Sequence, residues 1–419
     1  MSITTPVFKR IVLILGFLAG SLYLALVSSQ YLAFRFSKRA DFDGLRMAVR
    51  LQPGNAEYRF QLGEYYSVTQ QLQKAVDSYG TAVALNSHEA EYWMGLAAAD
   101  GSLGLARERR AALQNAVAVD PKNSTVAWAA GNFFVTEGDV DSGLKEFRVV
   151  LENAPVLAGP ALQLCWQLRP DVDSLLRDAI PRTSGSYSSF LEFLMSKGDN
   201  DSVAKVWRRI VELHQPVSLG VVFDYVRYLI GRNQPEQAGM VWRQAGDLSD
   251  LKNYQTTVEN LVVNGNFNSP VLNAGFDWSY EKRSDVTLAL DPTEPHLSSP
   301  SLLISYDSRG LEDSGIGQLI SVEPATRYQF SAYFKTRNMQ GAGGPHFILR
   351  DYYTQESLFD SEDLKDSPAW RQVSGEFKTG PETRLLRLRI SRVPAGSPIR
   401  GKLWIDNIRL QRKQEENAK

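Results

Sequence analysis

Residues able to do chemistry are few and far apart in this 419-residue chain. Its four histidines, His88, His214, His296 and His346, show no metal-ligand spacing to one another or to the single cysteine, Cys165. Cys165 lies among Leu162, Leu164, Trp166 and Leu168, which suits a small buried hydrophobe better than a nucleophile. Glu362-Asp363 is a carboxylate pair, but glycoside hydrolysis needs two carboxyls held across a cleft, which adjacency does not supply. Gly341-Ala342-Gly343-Gly344 runs into Pro345 and reads as a hairpin loop rather than a phosphate cradle. No nucleophile elbow or dinucleotide fingerprint appears. A non-catalytic protein is therefore expected, with an enzyme carrying a cryptic site as the remote alternative.

The elements that would position any site are written in a 34-residue period: Pro53, Ser87, Pro121 and Pro155; Gly63, Ala97 and Gly131; Ala48, Ala82, Ala116 and Val150; Leu45, Tyr79, Leu113 and Phe147. Small residues recur where helices must approach, apolar ones where they pack, and proline where one hairpin hands over to the next. This is the pattern of a tetratricopeptide solenoid, in which each helical hairpin buries its apolar face only against its neighbours. Predicted helices run over 41–51, 58–68, 73–85, 93–102, 106–119, 126–136 and 141–151. Arg109 stands where a small residue is usual, which predicts a looser second unit. Past Pro155 the period degenerates, although Trp207 and Trp242 still sit 35 apart and are expected in the core rather than in a ligand groove.

Ahead of the repeats, Ile11 to Phe34 is apolar and long enough to cross a bilayer. A cleaved secretion signal, with Val27 and Ser29 as the small residues ahead of the cut, is the competing reading. The flanking basic residues do not fix orientation. Formal net charge is −1 with no polybasic run, which makes nucleic acid a poor partner.

Beyond Asn253 the helical period gives way to alternation, as in Tyr328, Phe330, Ala332 and Phe334 against Gln329, Ser331, Tyr333 and Lys335. Eight or nine such segments predict an antiparallel β-sandwich whose core closes without the helices. The expected organisation is a membrane segment (1–36), repeats (38–252, regular to 155 and degenerate after), a sandwich (258–412) and a polar tail (413–419).

The sandwich opens with Leu261-Val262-Val263-Asn264-Gly265-Asn266-Phe267-Asn268 and closes with Leu403-Trp404-Ile405-Asp406-Asn407-Ile408. With Ser298-Ser299-Pro300-Ser301-Leu302, these motifs resemble the jelly-roll, galactose-binding-like carbohydrate-binding modules attached to bacterial polysaccharide enzymes. The resemblance implies a glycan site of aromatic platforms and hydroxyl-binding groups, for which Tyr333, Lys335, Arg387 and Arg389 are the outward-facing candidates, with Arg350 and Tyr352 on an adjacent strand. It also implies a structural calcium between Asn268 and Asp406. The family has an acid at the first of these positions, and the two residues could equally just hydrogen-bond the end strands. Trp278 and Trp404 are expected in the core, and a bulge at Asp406-Asn407.

The whole arrangement resembles bacterial proteins of exopolysaccharide synthesis and export. That implies a single-pass inner-membrane protein with most of its chain periplasmic. Its solenoid would grip a protein of the polysaccharide machinery, while its sandwich touches polysaccharide or a second protein. A pure protein–protein scaffold is the alternative.

Overall fold

The computed structural model describes residues 6–297 and 300–413, so Ser298, Ser299 and the tail beyond Lys413 lie outside the described residues. Two compact units divide the chain, Met1–Arg182 and Thr183–Lys419.

The first unit begins with α1 (Pro6–Ser37), an unbroken helix apolar and long enough to span a membrane. Its last turns are also the first helix of the array. Ser29, which stands 34 residues before Gly63, donates its hydroxyl to the Leu51 carbonyl at 3.2 Å, and Ala33 and Ser37 are buried. These contacts join α1 to α2 (Phe42–Leu51), which starts where Asp41 accepts from the Gly44 N–H at 2.6 Å. A cut at Val27 or Ser29 would fall inside this helix.

Three hairpins follow: α3 (Ala56–Val68) with α4 (Leu72–Leu85), α5 (Ala90–Ser102) with α6 (Ala106–Val119), and α7 (Ser124–Thr136) with α8 (Val140–Asn153). Asn55, Asn123 and Asp139 cap α3, α7 and α8 with their side-chain oxygens. The period has a direct steric meaning. A Cβ on Gly63 would stand 2.7 Å from the Tyr79 ring, and one on Gly131 2.9 Å from Phe147, so the missing side chain of one helix admits the aromatic of the next. Arg109 is accommodated in the same way. Its stem lies over Gly101, and its guanidinium sits 4.8 Å from the Phe133 ring. The unit closes with α9 (Ala158–Leu168), which buries Cys165, and the short α10 (Val172–Asp178).

Among the described residues, the second unit holds two more hairpins, α11 (Ser184–Lys197) with α12 (Asn200–Leu213) and α13 (Leu219–Gly231) with α14 (Pro235–Leu248), followed by ten strands. The strands are β1 (Ser279–Tyr280), β2 (Val286–Asp291), β3 (Ser301–Gly310), β4 (Asp313–Ser321) and β5 (Arg327–Gly341). After them come β6 (Pro345–Asp351), β7 (Ser357–Asp360), β8 (Arg371–Lys378), β9 (Leu385–Arg392) and β10 (Pro398–Arg412). They form two five-stranded antiparallel sheets, in the orders β1-β4-β9-β6-β7 and β2-β3-β10-β5-β8, packed over one core that contains Phe330, Phe347, Leu388 and Leu403. Trp278 and Trp404 are buried as expected, and the register of β10 shifts between Asp406 and Arg409.

One expectation changes. Gly341 to Pro345 is not a hairpin, because β5 and β6 belong to different sheets and the loop carries the chain across the sandwich. The opening segment of the sandwich also packs on α14. The Trp242 indole donates to the Tyr254 carbonyl at 2.7 Å, meets Phe276 edge-on at 5.9 Å and occupies the space a side chain on Gly275 would need. Glu236 on α14 pairs with Arg384 at 2.7 Å, and the Tyr353 hydroxyl donates to the Ile230 carbonyl at 2.9 Å. Trp242 is thus core, but core shared between helix and sandwich.

Candidate functional site

Alternation along each strand sends every second side chain outward, so what counts is which strands share a face. The six glycan candidates fall on opposite outer faces of the sandwich. Tyr333 and Lys335 stand on β5, whereas Arg350, Arg387 and Arg389 stand on β6 and β9, with Tyr352 just past the end of β6. The strand carrying Arg350 is next to β5 in the chain and not in the sheet. Sequence alternation gives the facing of each strand but not its sheet.

The β5 face is covered. The segment after β2 folds back over it, placing the His296 ring 3.9 Å from Tyr333 in a stack and 5.2 Å from Trp370. Glu294 pairs with Lys335 and Arg337, both at 2.5 Å, which holds the Glu294 carboxyl below the usual range. Tyr333 and Lys335 are therefore already engaged within the chain.

Asp406 lies fully buried near the same segment. Burial pushes its carboxyl up; the Asn407 N–H donates to Oδ1 at 2.7 Å, the backbone N–H groups of His296 and Leu297 also face it, and Oδ2 has no partner within hydrogen-bond geometry. Asn268 is exposed on the turn after Phe267. Calcium takes about six to eight oxygen ligands. Here N–H groups surround one carboxylate, and among the described residues no three acidic, imidazole or thiol groups are placed so that they could hold a metal ion. The residues present do not fit a calcium ion shared by Asn268 and Asp406.

The opposite face is open. Two hollows of about 470 and 240 Å³ share Arg387 and Arg389 and make one groove across β4, β9 and β6. In the register of the sheet, Gly317, Arg389 and Ile348 form one row and Leu319, Arg387 and Arg350 the next. Gly315 and Gly317 line the smaller hollow, where a Cβ would meet Arg283 or the stem of Arg389. Arg389 is fixed by Asp313 at 2.6 Å, with Glu281 at 3.8 Å. The Arg387 guanidinium lies 4.7 Å from the centre of the Tyr352 ring, and Tyr353 meets that ring at a right angle. Tyr352 thus orients an arginine rather than offering a bare platform. Tyr280, on the two-residue edge strand β1, also lines the smaller hollow and is 46% exposed. The chain pattern gives no sign of it, because a two-residue strand has no alternation to read.

Two further groups bear on chemistry. His346 is held between Asp360 and Asp363, each 2.7 Å from a ring nitrogen, so neither nitrogen is open to a substrate. Arg392 is buried in the wall of the groove. Its guanidinium donates to the carbonyls of Ala342, Gly344 and Val393, which ties the 341–345 and 393–398 loops together. Desolvation lowers its pKa.

No protein-family model matches the chain, and no curated protein matches it by sequence. Solved structures similar to parts of it include a crystal structure of MamA, at 18% identity over 43% of this chain and 93% of that one, with a TM-score of 0.28. YrrB, described as a TPR protein with an unusual peptide-binding site, is similar at 15% identity over 50% and 93%, with a TM-score of 0.24. A CBM4 structure is similar at 13% identity over 36% and 99%, with a TM-score of 0.28. These are likenesses of chain path, and none carries a partner or ligand over to this protein.

Proposed function

We propose that this protein is a non-catalytic, membrane-anchored adaptor of exopolysaccharide synthesis or export. Its repeats hold a protein partner and its sandwich binds polysaccharide. The observation that carries the glycan half is the groove across β4, β9 and β6. It is open and polar, is floored in part by glycine, and offers fixed arginine donors to hydroxyls. Such a surface suits a sugar chain laid along it better than an enclosed apolar ligand. Because it buries little area, affinity in the range of about 10–100 μM is expected. The helix α1 is the anchor, and the remainder of the chain lies outside the cytoplasm, where polysaccharide would be met.

The test is titration of the full-length protein in detergent micelles with oligosaccharides of the producing cell's polysaccharide, alongside Arg389→Ala and Tyr280→Ala. Each variant should weaken binding about tenfold while leaving the melting temperature in place. A pure scaffold is the second reading. It is favoured by Tyr333 and Tyr352, whose rings are engaged by His296 and Arg387 rather than left bare. No sugar binding by a well-folded protein that still captures its protein partner would establish that reading instead.

A further inference from the structure

Resting on the glycan reading, the geometry points to a more specific ligand: an anionic sugar chain whose carboxylates lie between Arg350 and Arg387. These two arginines are directly opposed across β6 and β9 and face the same groove. Like charges directly opposite each other on neighbouring strands destabilise a sheet. The cost is ordinarily offset by a carboxylate nearby; of those lining the groove, Glu312 forms no ion pair with either arginine, and the other two are engaged elsewhere. Asp313 is taken by Arg389 and Arg283, and Asp360 by His346. Among the described residues, neither Arg350 nor Arg387 has a carboxylate within ion-pair distance.

One of the pair is also braced: the Arg387 guanidinium lies 4.7 Å from the centre of the Tyr352 ring, which limits its freedom. A guanidinium fork held in one plane matches the two oxygens of a carboxylate. The adjoining glycine-floored hollow leaves room for the sugar ring that carries it. A uronate chain combines both features: a carboxylate over Arg350 and Arg387, and the hydroxyl-bearing ring of an adjoining residue in the smaller hollow.

The experiment uses full-length protein in detergent micelles with three probes: tetragalacturonate, its fully methyl-esterified neutral form, and polyglutamate of similar charge. The acid sugar should bind about tenfold or more tightly than its ester, and less so at high salt. Arg350→Gln and Arg387→Gln should each lower affinity for the acid form about tenfold and for the ester by much less. Arg387→Lys should recover only part of the loss, because it keeps the charge without the fork. Lys378→Gln, on the other sheet, should change nothing. Equal affinity for acid and ester would overturn the anionic inference while the glycan reading stands. Equal or tighter binding of polyglutamate would overturn the glycan reading and leave an anion site for an acidic peptide. Binding of none of the three by protein of unchanged melting temperature would overturn both.

Discussion

The repeats and the sandwich solve the same problem, burying apolar surface, in opposite ways. Each hairpin of the array is completed by its neighbours in the chain. Tyr79 fills the space left by Gly63, and Phe147 that left by Gly131. The sandwich is completed by partners far apart. Its opening residue Leu261 donates to the Leu410 carbonyl, and the Asn260 side chain reaches the Ile408 carbonyl across 148 positions. The polar content differs too. The sandwich buries Asp277, Asp351, Arg392 and Asp406, whereas helices α2 to α8 bury Asp100 and Glu146 as their only charged groups. Local closure makes a region modular, while long-range closure makes it one cooperative piece that carries its strained and polar groups together.

The largest expected effect tests where that piece ends. Trp242→Ala, though on a helix, should destabilise the sandwich by about 3–5 kcal/mol, because the indole is buried against Gly275 and Phe276. Protease nicking between residues 255 and 278 would report it. Unchanged protection there would show that the sandwich closes by itself.

Next in size is a buried charge. Desolvation raises the pKa of Asp277 from an ordinary 3.8 to about 6; Oδ2 accepts from the Leu272 N–H at 2.7 Å, but Oδ1 has no partner. A folded value above the unfolded one means that its contribution to folding is complete below about pH 4 and is lost as pH rises through about 6. Asp277→Asn should therefore match the parent near pH 4 and exceed it by about 3 kcal/mol at pH 7.5. Melting curves at the two pH values would show the gap open, and a gap independent of pH would remove the charge as its cause.

The smallest effect probes the array. Ala116 is fully buried, and Ala116→Leu should overpack its hairpin by about 1–3 kcal/mol, whereas exposed Lys122→Gln should shift stability by less than about 0.5 kcal/mol. Helical melting followed by circular dichroism distinguishes them. Equal tolerance of the two would break the steric account of the period.

Legibility followed the same division. The helices of the array appear within a few residues of where the 34-residue spacing puts them, and the end of α1 shows why Ser29 belongs to the series with Gly63. Residues that meet within one period leave a repeating mark on the chain. Alternation likewise gave the inward faces of β5 and β9, with Phe330, Phe334, Leu388 and Ile390 in the core. It could not assign Arg350 and Tyr333 to different sheets, since strands of both sheets alternate alike.

By itself, then, the sequence determined the apolar helix, the repeating hairpins and the change to alternating strands, because each depends on contacts or periodicities a few residues long. Only the tertiary structure decided that His296 covers Tyr333, that Arg350 faces Arg387 across two strands, and that Trp242 belongs to the sandwich as much as to its helix. Those pairings span 34 residues or more, and the loops between them carry no periodic signal of where they lead.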